Sequence, residues 1–141
     1  MPVLPRLITT NFGAGDFAVA TDGTLVYVDT PGSLPTNARS LVWVDRTGKE
    51  ESLIAQPRAY QHPRLSPDGT RVALSSLDQE NELWIWDLGR ARLTRVTLDS
   101  GLEQFAVWTP GGRRIVFSSA RAGEALNLWL QAAAARASPS G

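Results

Sequence analysis

The 141-residue sequence contains no cysteine, which excludes disulfide bonds and every thiolate ligand or nucleophile. Its single histidine, His62, excludes the histidine clusters that bind zinc. No apolar run approaches the roughly 18 residues of a membrane-spanning helix. The first residues also lack the basic start and the long apolar stretch of a signal peptide. The sequence therefore predicts no metal, no cofactor and no membrane insertion.

Motifs of catalysis and phosphate binding are missing as well. Without a G-x-S-x-G nucleophile elbow, His62 lacks the serine partner that a hydrolase of that type would need. Gly13 and Gly15 lack the third Gly and the Lys of a phosphate loop, so no kinase core is present. The acidic segment 78–82 lacks the Gly that a calcium loop needs at its sixth place. We expect no enzyme activity from these residues.

Neither sign of charge dominates, because 14 basic residues balance 14 acidic ones. A nucleic-acid-binding surface would cluster its basic side chains with aromatic ones. The arginines of the second half instead lie among turns and strand edges, at Arg90, Arg92, Arg95, Arg113, Arg114 and Arg121. Charges at such places keep sheet edges from pairing with other chains. No nucleic-acid partner is predicted.

What the sequence does contain is a repeat of about 45 residues. Gly23, Gly69 and Gly112 are spaced by 46 and 43 residues, and the stretches around them, 20–28, 66–74 and 109–117, align without gaps. Each stretch begins with turn residues such as Pro, Asp and Gly and continues as a short run rich in β-branched residues. The repeated unit therefore starts with a tight turn and a β-strand.

Each unit predicts up to four short antiparallel strands, the arrangement of one blade of a β-propeller. One strand precedes the Gly turn, at 15–20, 61–66 and 104–109, and another follows the repeated run, at 41–45, 83–87 and 126–130. An outer strand is predicted near 50–55 and 92–98. Trp84 and Trp86 share one face of their strand, opposite Leu83 and Ile85, so both faces are expected to meet a neighbouring blade.

The stretches S-P-D-G-T-R-V-A-L at Ser66 to Leu74 and L-W-I-W-D-L at Leu83 to Leu88 resemble the TolB-like propeller repeats, which are relatives of WD repeats. The resemblance covers Phe17 to Gln131, and its order of motifs is similar to propellers attached to bacterial serine/threonine protein kinases. It implies an all-β fold, a binding, scaffold or sensor role, and a periplasmic or other extracytoplasmic location.

The repeat predicts five segments. Residues 1–14 are an outer strand of a neighbouring blade with a linker, 15–56 are blade 1, 57–99 are blade 2, 100–132 are blade 3 without its outer strand, and 133–141 are a flexible tail. Three blades are too few to close a ring. Either the chain is a fragment of a longer gene product, or two chains form a six-bladed homodimer in which Val3 to Thr9 completes the partner's third blade.

Propellers bind at the mouth of their central channel, in loops held by a rigid scaffold. The loops that join successive blades here run over 56–62 and 99–105, and the longest loop, Asp29 to Ser40, is expected at the same rim. They offer charge, aromatic surface and hydrogen-bonding groups. The predicted binding residues are Arg58, Tyr60, His62, Glu103 and Gln104.

Three functions remain open on this basis. The first is a non-catalytic propeller that binds a protein or peptide partner. The second is a propeller that accompanies a hydrolase or peptidase encoded elsewhere in a parent gene. The third is an enzyme with a site in its own channel, for which no catalytic constellation is found.

Overall fold

The computed structural model describes residues 16–29, 38–53, 56–77, 81–98, 101–121 and 125–134. These residues form three antiparallel sheets, with β1 to β4 in the first, β5 to β8 in the second and β9 to β11 in the third. The strands are β1 Phe17–Val19, β2 Leu25–Asp29, β3 Ser40–Val44, β4 Glu50–Ser52, β5 Tyr60–Leu65, β6 Arg71–Ser76, β7 Leu83–Asp87, β8 Arg92–Arg95, β9 Glu103–Trp108, β10 Arg114–Ser119 and β11 Asn127–Ala132. The predicted all-β fold class, a partial propeller of about three blades, is confirmed.

The repeated glycines close the first hairpin of every sheet. Gly23, Gly69 and Gly112 have φ angles of 86°, 68° and 64°, a left-handed region that residues with a Cβ rarely adopt. Each glycine N–H donates to the carbonyl of the residue three places earlier, at 2.8 to 2.9 Å. In the second turn, hydrogen bonds from Ser66 and Thr70 lower the pKa of Asp68 to about 2. The turn chemistry of the repeat is therefore as the sequence predicts.

The hairpin of the first sheet is one residue shorter than the other two. Ala20 N–H donates to the carbonyl of Thr24, four residues on, whereas Ser66 N–H donates to Arg71, five residues on. Side chains alternate along a strand, so this difference inverts which ones face the next sheet. The gap-free alignment gives Val26 the place of Val72, which would turn its side chain away from the second sheet. Val26 instead faces the second sheet and packs in one cluster with Val72. The gap-free alignment is therefore wrong for β2.

Two apolar cores lie between the sheets. The core between the first and second sheets contains Val26, Val28, Leu41, Tyr60, Val72, Leu74 and Trp86, with Trp84 packed against it. The core between the second and third sheets contains Ala73, Leu83, Ile85, Val96, Ala106, Trp108, Ile115, Phe117 and Ala133. The predicted opposition of the two Trp side chains to Leu83 and Ile85 is confirmed, and both faces of the second sheet are covered.

The first strands of the three sheets lie together on one side of the molecule, since β5 contacts both β1 and β9. We call them the inner strands. The inner strand of each later sheet also crosses the face of the preceding sheet: β5 contacts β2, and β9 contacts β6 and β7. This stepwise packing places the loops that enter the inner strands at one shared rim.

Some predictions fall outside the described residues. They concern Val3 to Thr9, the middle of the Asp29 to Ser40 loop at 30–37, and residues 135–141 of the tail. The five segment boundaries therefore stay predictions. No helix long and apolar enough to cross a membrane occurs in the described ranges.

Candidate functional site

Asp16, His62 and Phe105 hold the same place at the three inner strands, with the 46- and 43-residue spacings of the turn glycines. His62 and Phe105 both have left-handed backbones, with φ of 52° and 57°. Both lie where pairing to the next strand shifts register, which marks a β-bulge. A bulge re-aims side chains, and here it does so at the same place in two successive sheets.

His62 contacts both of the other two residues across the sheets. His62 N–H donates a hydrogen bond of 3.0 Å to Asp16 Oδ1, and the His62 ring lies 4.5 Å from the Phe105 ring at an angle of 47°. Asp16 is only 4% exposed, whereas Phe105 is 54% exposed. The row therefore begins with a buried carboxylate in the first sheet and ends with an accessible aromatic ring in the third.

Arg39 completes the polar end of this row. Its Nη1 lies 3.6 Å from Asp16 Oδ2 and donates to the Tyr60 carbonyl at 3.2 Å. The backbones of Arg39 and Arg58 also form a two-way bridge at 2.7 and 3.1 Å. Asp16 and Arg39 were not among the predicted site residues. The 46-residue spacing from Asp16 to His62 is the signal that could have found the first of them.

Burial lowers the pKa of His62 below its usual value of 6.5. Asp16 opposes this effect, while Arg64 and Arg39 add to it. The imidazole is therefore mainly neutral at pH 7. Its Nδ1 is buried and finds no hydrogen-bond partner in the part of the chain that the structure describes.

Arg58 and Tyr60, two of the predicted binding residues, differ in accessibility. The Arg58 guanidinium lies 4.8 Å above the Trp84 ring, and the residue is half-buried. Tyr60 is fully buried in the first core, with its hydroxyl 3.4 Å from the Gln56 carbonyl. Arg58 can thus reach a partner at the rim, while Tyr60 supports the strand beneath it.

Glu103 and Gln104 differ in the same way. Glu103 is 1% exposed, and its Oε1 lies 3.4 Å from Arg121 Nη2 and 3.5 Å from Ser119 Oγ. The Arg121 guanidinium in turn covers the Trp129 ring at 4.5 Å. Gln104 is half-buried beside Phe105. The accessible part of the predicted site is therefore Arg58, His62 and Gln104, to which the structure adds Phe105.

The rim offers groups suited to holding a ligand: an exposed aromatic ring, a neutral imidazole, a carboxamide and guanidinium groups. Among the residues that the structure describes, no three His, Cys, Asp or Glu side chains come together as a metal site.

No family model matches the sequence. The structure is similar to TolB from Acinetobacter baumannii, with a TM-score of 0.71 and 15% identity over 84% of this chain and 29% of that one. A protein assigned as TolB from Agrobacterium tumefaciens gives 0.72 and 17% over 93% and 48%. An acylaminoacyl peptidase from Pyrococcus horikoshii gives 0.60 and 19% over 81% and 17%.

The chain spans less than half the length of each of these proteins. Identities this low carry the fold and not the activity. By the order of its strands, the packing of its sheets and these likenesses, the chain has the fold of a partial TolB-like β-propeller.

Proposed function

We propose that the chain is a non-catalytic propeller module that binds a protein or peptide partner at the rim of its inner strands. The observation that carries the proposal is the exposed Phe105 ring resting on His62. Aromatic side chains that are large, rigid and accessible supply most of the contact energy in many interfaces. An apolar or aromatic side chain of the partner would stack on Phe105.

The surroundings of Phe105 support recognition of a peptide backbone and an acidic side chain. Gln104 can donate and accept hydrogen bonds. Arg58 lies at the same rim, on the entry loop of β5, and carries a positive charge. Beneath the rim, buried contacts join the His62 backbone to Asp16 and the Arg121 guanidinium to Glu103. A partner with an aromatic residue close to an acidic one fits this arrangement.

Peptide display tests the proposal. A random peptide library is selected on the immobilised chain, and the enriched peptides are measured by titration calorimetry. We expect aromatic residues with flanking acids to be enriched, and Phe105→Ser to weaken binding at least about tenfold. Leu98→Ser is the matched control, because Leu98 is also 54% exposed but follows the outer strand of the second sheet.

Two outcomes would reject a rim-binding role. One is the failure of any peptide to be enriched over the empty support. The other is enrichment of peptides whose affinity is the same for the wild type, Phe105→Ser and His62→Gln.

We further propose, from the resemblance to kinase-attached propellers, that the module is the sensing part of an extracytoplasmic receptor. Cell fractionation of the native gene product tests the location. Recovery with the cytoplasmic fraction would reject it.

A second candidate is a propeller that accompanies a hydrolase. The likeness to an acylaminoacyl peptidase favours it, although this chain covers only 17% of that protein. The test is to label the product of the entire reading frame with a fluorophosphonate probe for serine hydrolases. Labelling that is lost on heat denaturation would favour this candidate over the binding module.

A further inference from the structure

Arg71 crosses from the second sheet to the third, where two backbone carbonyls bind it. From the start of β6 its Nη2 donates to the Gly112 carbonyl at 2.7 Å and its Nη1 donates to the Ala133 carbonyl at 3.2 Å. The guanidinium also lies 4.8 Å above the Trp108 ring. The gap between these two sheets therefore contains a guanidinium site, which a residue of the chain itself fills.

The first sheet has a threonine where the second sheet has Arg71. The Arg71 carbonyl accepts the hydrogen bond that closes the second hairpin, and the Thr24 carbonyl accepts the one that closes the first. Thr24 is the counterpart of Arg71 because the first hairpin is one residue shorter. Its side chain is buried and too short to cross to the second sheet as Arg71 crosses to the third.

The two carbonyls of the guanidinium site recur in the second sheet. Gly69 holds the place of Gly112, with a φ of 68° against 64°. Leu88 holds the place of Ala133, since the N–H of each donates, at 3.0 and 2.9 Å, to the carbonyl of the residue that follows the turn glycine. Within the described ranges, no donor reaches the carbonyl of Gly69 or of Leu88. The second sheet therefore presents the same pair of acceptors to the first sheet.

These carbonyls belong to residues that border a groove between the first and second sheets, which we call the first groove. One part of it has a volume of about 730 Å³ and is lined by Trp43, Gly69 and Leu88. A second part, of about 340 Å³, shares Trp43 and Gly69 and extends to the turns of the two hairpins. Both walls are four-stranded sheets, so the first groove does not involve the three-stranded third sheet.

A tryptophan ring is available in the first groove as well. The second sheet has Leu65 at the place of Trp108, 43 residues earlier, so its inner strand supplies no ring there. Trp43 of the first sheet supplies one instead, because it packs against the first core and lines both parts of the groove. Guanidinium groups stack favourably on tryptophan faces. The tryptophan thus stands on the opposite wall, and an aromatic surface is kept.

The lining of the first groove is acidic. It carries four carboxylates and one guanidinium, at Asp22, Glu51, Asp68, Asp87 and Arg90. Arg90 is directed elsewhere, because 82% of its side chain is exposed and it lies 3.5 Å from the Asp87 carboxylate. The excess of carboxylates favours a cationic ligand.

We propose that the first groove binds an arginine side chain of a protein or peptide partner, with its guanidinium on the Gly69 and Leu88 carbonyls and against the Trp43 ring. The partner's arginine takes the part that Arg71 takes in the next gap. Arginine fits better than lysine because its planar fork of donors reaches two carbonyls at once and stacks on the ring. The site lies at the opposite end of β5 from the rim, so the inference does not rest on binding at the rim.

A nuclear magnetic resonance titration tests the site directly. The isotope-labelled chain is titrated with acetyl-Gly-Arg-Gly-amide, a peptide whose only charge is its guanidinium. We expect the largest shift changes at the amides of Gly69, Thr70 and Gly89 and at the Trp43 indole, with the millimolar dissociation constant of a single side chain. The lysine peptide acetyl-Gly-Lys-Gly-amide has the same charge and should bind at least about fivefold more weakly.

Two matched variants of β4 test the part played by charge. Glu51→Gln should weaken binding of the arginine peptide about two- to fivefold, because the lining loses one carboxylate. Glu50→Gln is the control, since Glu50 is also exposed but points to the opposite face of the sheet, and it should leave the affinity largely unchanged. Phe105→Ser should have no effect either, which separates this site from the rim.

A third variant fills the first groove from within. Thr24→Arg places a guanidinium where Arg71 stands in the second sheet. Binding of the arginine peptide should then fall at least about tenfold, because an intramolecular group outcompetes a free one. Thr24→Ser leaves the groove open and should bind as the wild type does. Circular dichroism confirms that each variant is folded, and the β4 pair decides the matter if Thr24→Arg is not.

The inference is overturned if the folded chain shows no shift changes at the first groove up to about 20 mM arginine peptide. Equal binding of the arginine and lysine peptides would overturn it too, since the groove would then be a general acidic surface. Shift changes confined to the rim, equal effects of Glu51→Gln and Glu50→Gln, or undiminished binding by folded Thr24→Arg would have the same meaning.

Discussion

The His62 backbone donates a hydrogen bond to the Asp16 carboxylate, so a residue of one inner strand is held by its counterpart in the preceding sheet. A left-handed backbone at a histidine costs free energy, so it persists only where surrounding contacts hold it. The hydrogen bond to Asp16 is one such contact. Asp16 also lies within ion-pair distance of Arg39. It therefore fixes both the bulge of β5 and the entry to β3.

Replacement of Asp16 tests this role. Asp16→Ala should lower the free energy of unfolding by about 2 kcal/mol, since a buried charged hydrogen bond is lost. Asp16→Asn keeps an oxygen that can accept from His62 and loses only the charge facing Arg39, so its effect should be smaller. Urea unfolding at constant m-value measures both variants. Equal losses would show that the ion pair, and not the bond to His62, is the main contribution.

Stability should depend on the titration of His62. Burial lowers the pKa of this histidine below its unfolded value of 6.5, so the unfolded chain binds the proton more readily. Stability is therefore complete above pH 6.5 and falls as the pH drops below it, until the folded form is protonated as well. The urea midpoint should be lower at pH 5.5 than at pH 7.5.

His62→Gln is the control for that pH dependence, because glutamine does not titrate. The difference between the two midpoints should shrink in this variant. If the variant and the wild type lose the same stability between pH 7.5 and 5.5, groups other than His62 are responsible.

Arg71 should stabilise the contact between the second and third sheets. Arg71→Met keeps much of the aliphatic stem but removes the hydrogen bonds to Gly112 and Ala133, and should cost about 1.5 to 3 kcal/mol. Arg113→Met, at an exposed site, should change the free energy of unfolding little. Thermal unfolding followed by tryptophan fluorescence compares the two. A loss no larger for Arg71→Met than for Arg113→Met would contradict a stabilising role of these two hydrogen bonds.

Gly101 should tolerate no side chain. A Cβ there would lie 2.7 Å from the Ala120 carbonyl oxygen, a backbone atom that cannot move away cheaply. Gly101→Ala should therefore destabilise the chain by about 1 to 3 kcal/mol. Gly111→Ala is the matched control, because a Cβ at Gly111 meets open space, and it should be neutral or slightly stabilising. Similar unfolding midpoints for the two variants would refute the close approach.

Much of the fold could be predicted because its signals are local. A Gly at a left-handed turn position, followed by a run of β-branched residues, indicates a hairpin whatever lies around it. The faces of Trp84 and Ile85 follow from the alternation of side chains along β7. Three copies of such signals, 46 and 43 residues apart, are enough to predict the sheets.

The first hairpin could not be predicted, because its length depends on backbone hydrogen bonds and not on its sequence match. Residues 20–28 and 66–74 share Asp-Gly-Thr at the same places, yet the bond from Ala20 closes one residue earlier than the bond from Ser66. That choice depends on which side of β2 can be buried by the second sheet.

The sequence could not predict how far each residue of the candidate site is exposed. Glu103 is charged and lies at the start of β9, which suggests a solvated residue, but Arg121 pairs with it from two residues beyond the end of β10. Tyr60 likewise lies deep in the first core. These two placements are set by the packing of sheets, and no spacing in the sequence indicates them.

The short first hairpin bears on how the repeats can be recombined. A chimaera that replaces the first hairpin with residues 66–74 would preserve the Asp-Gly-Thr of the turn and still send the wrong alternate side chains of β2 into the first core. The repeats are thus alike in sequence without being interchangeable parts, and a consensus repeat for this protein has to be averaged over equivalent hydrogen bonds.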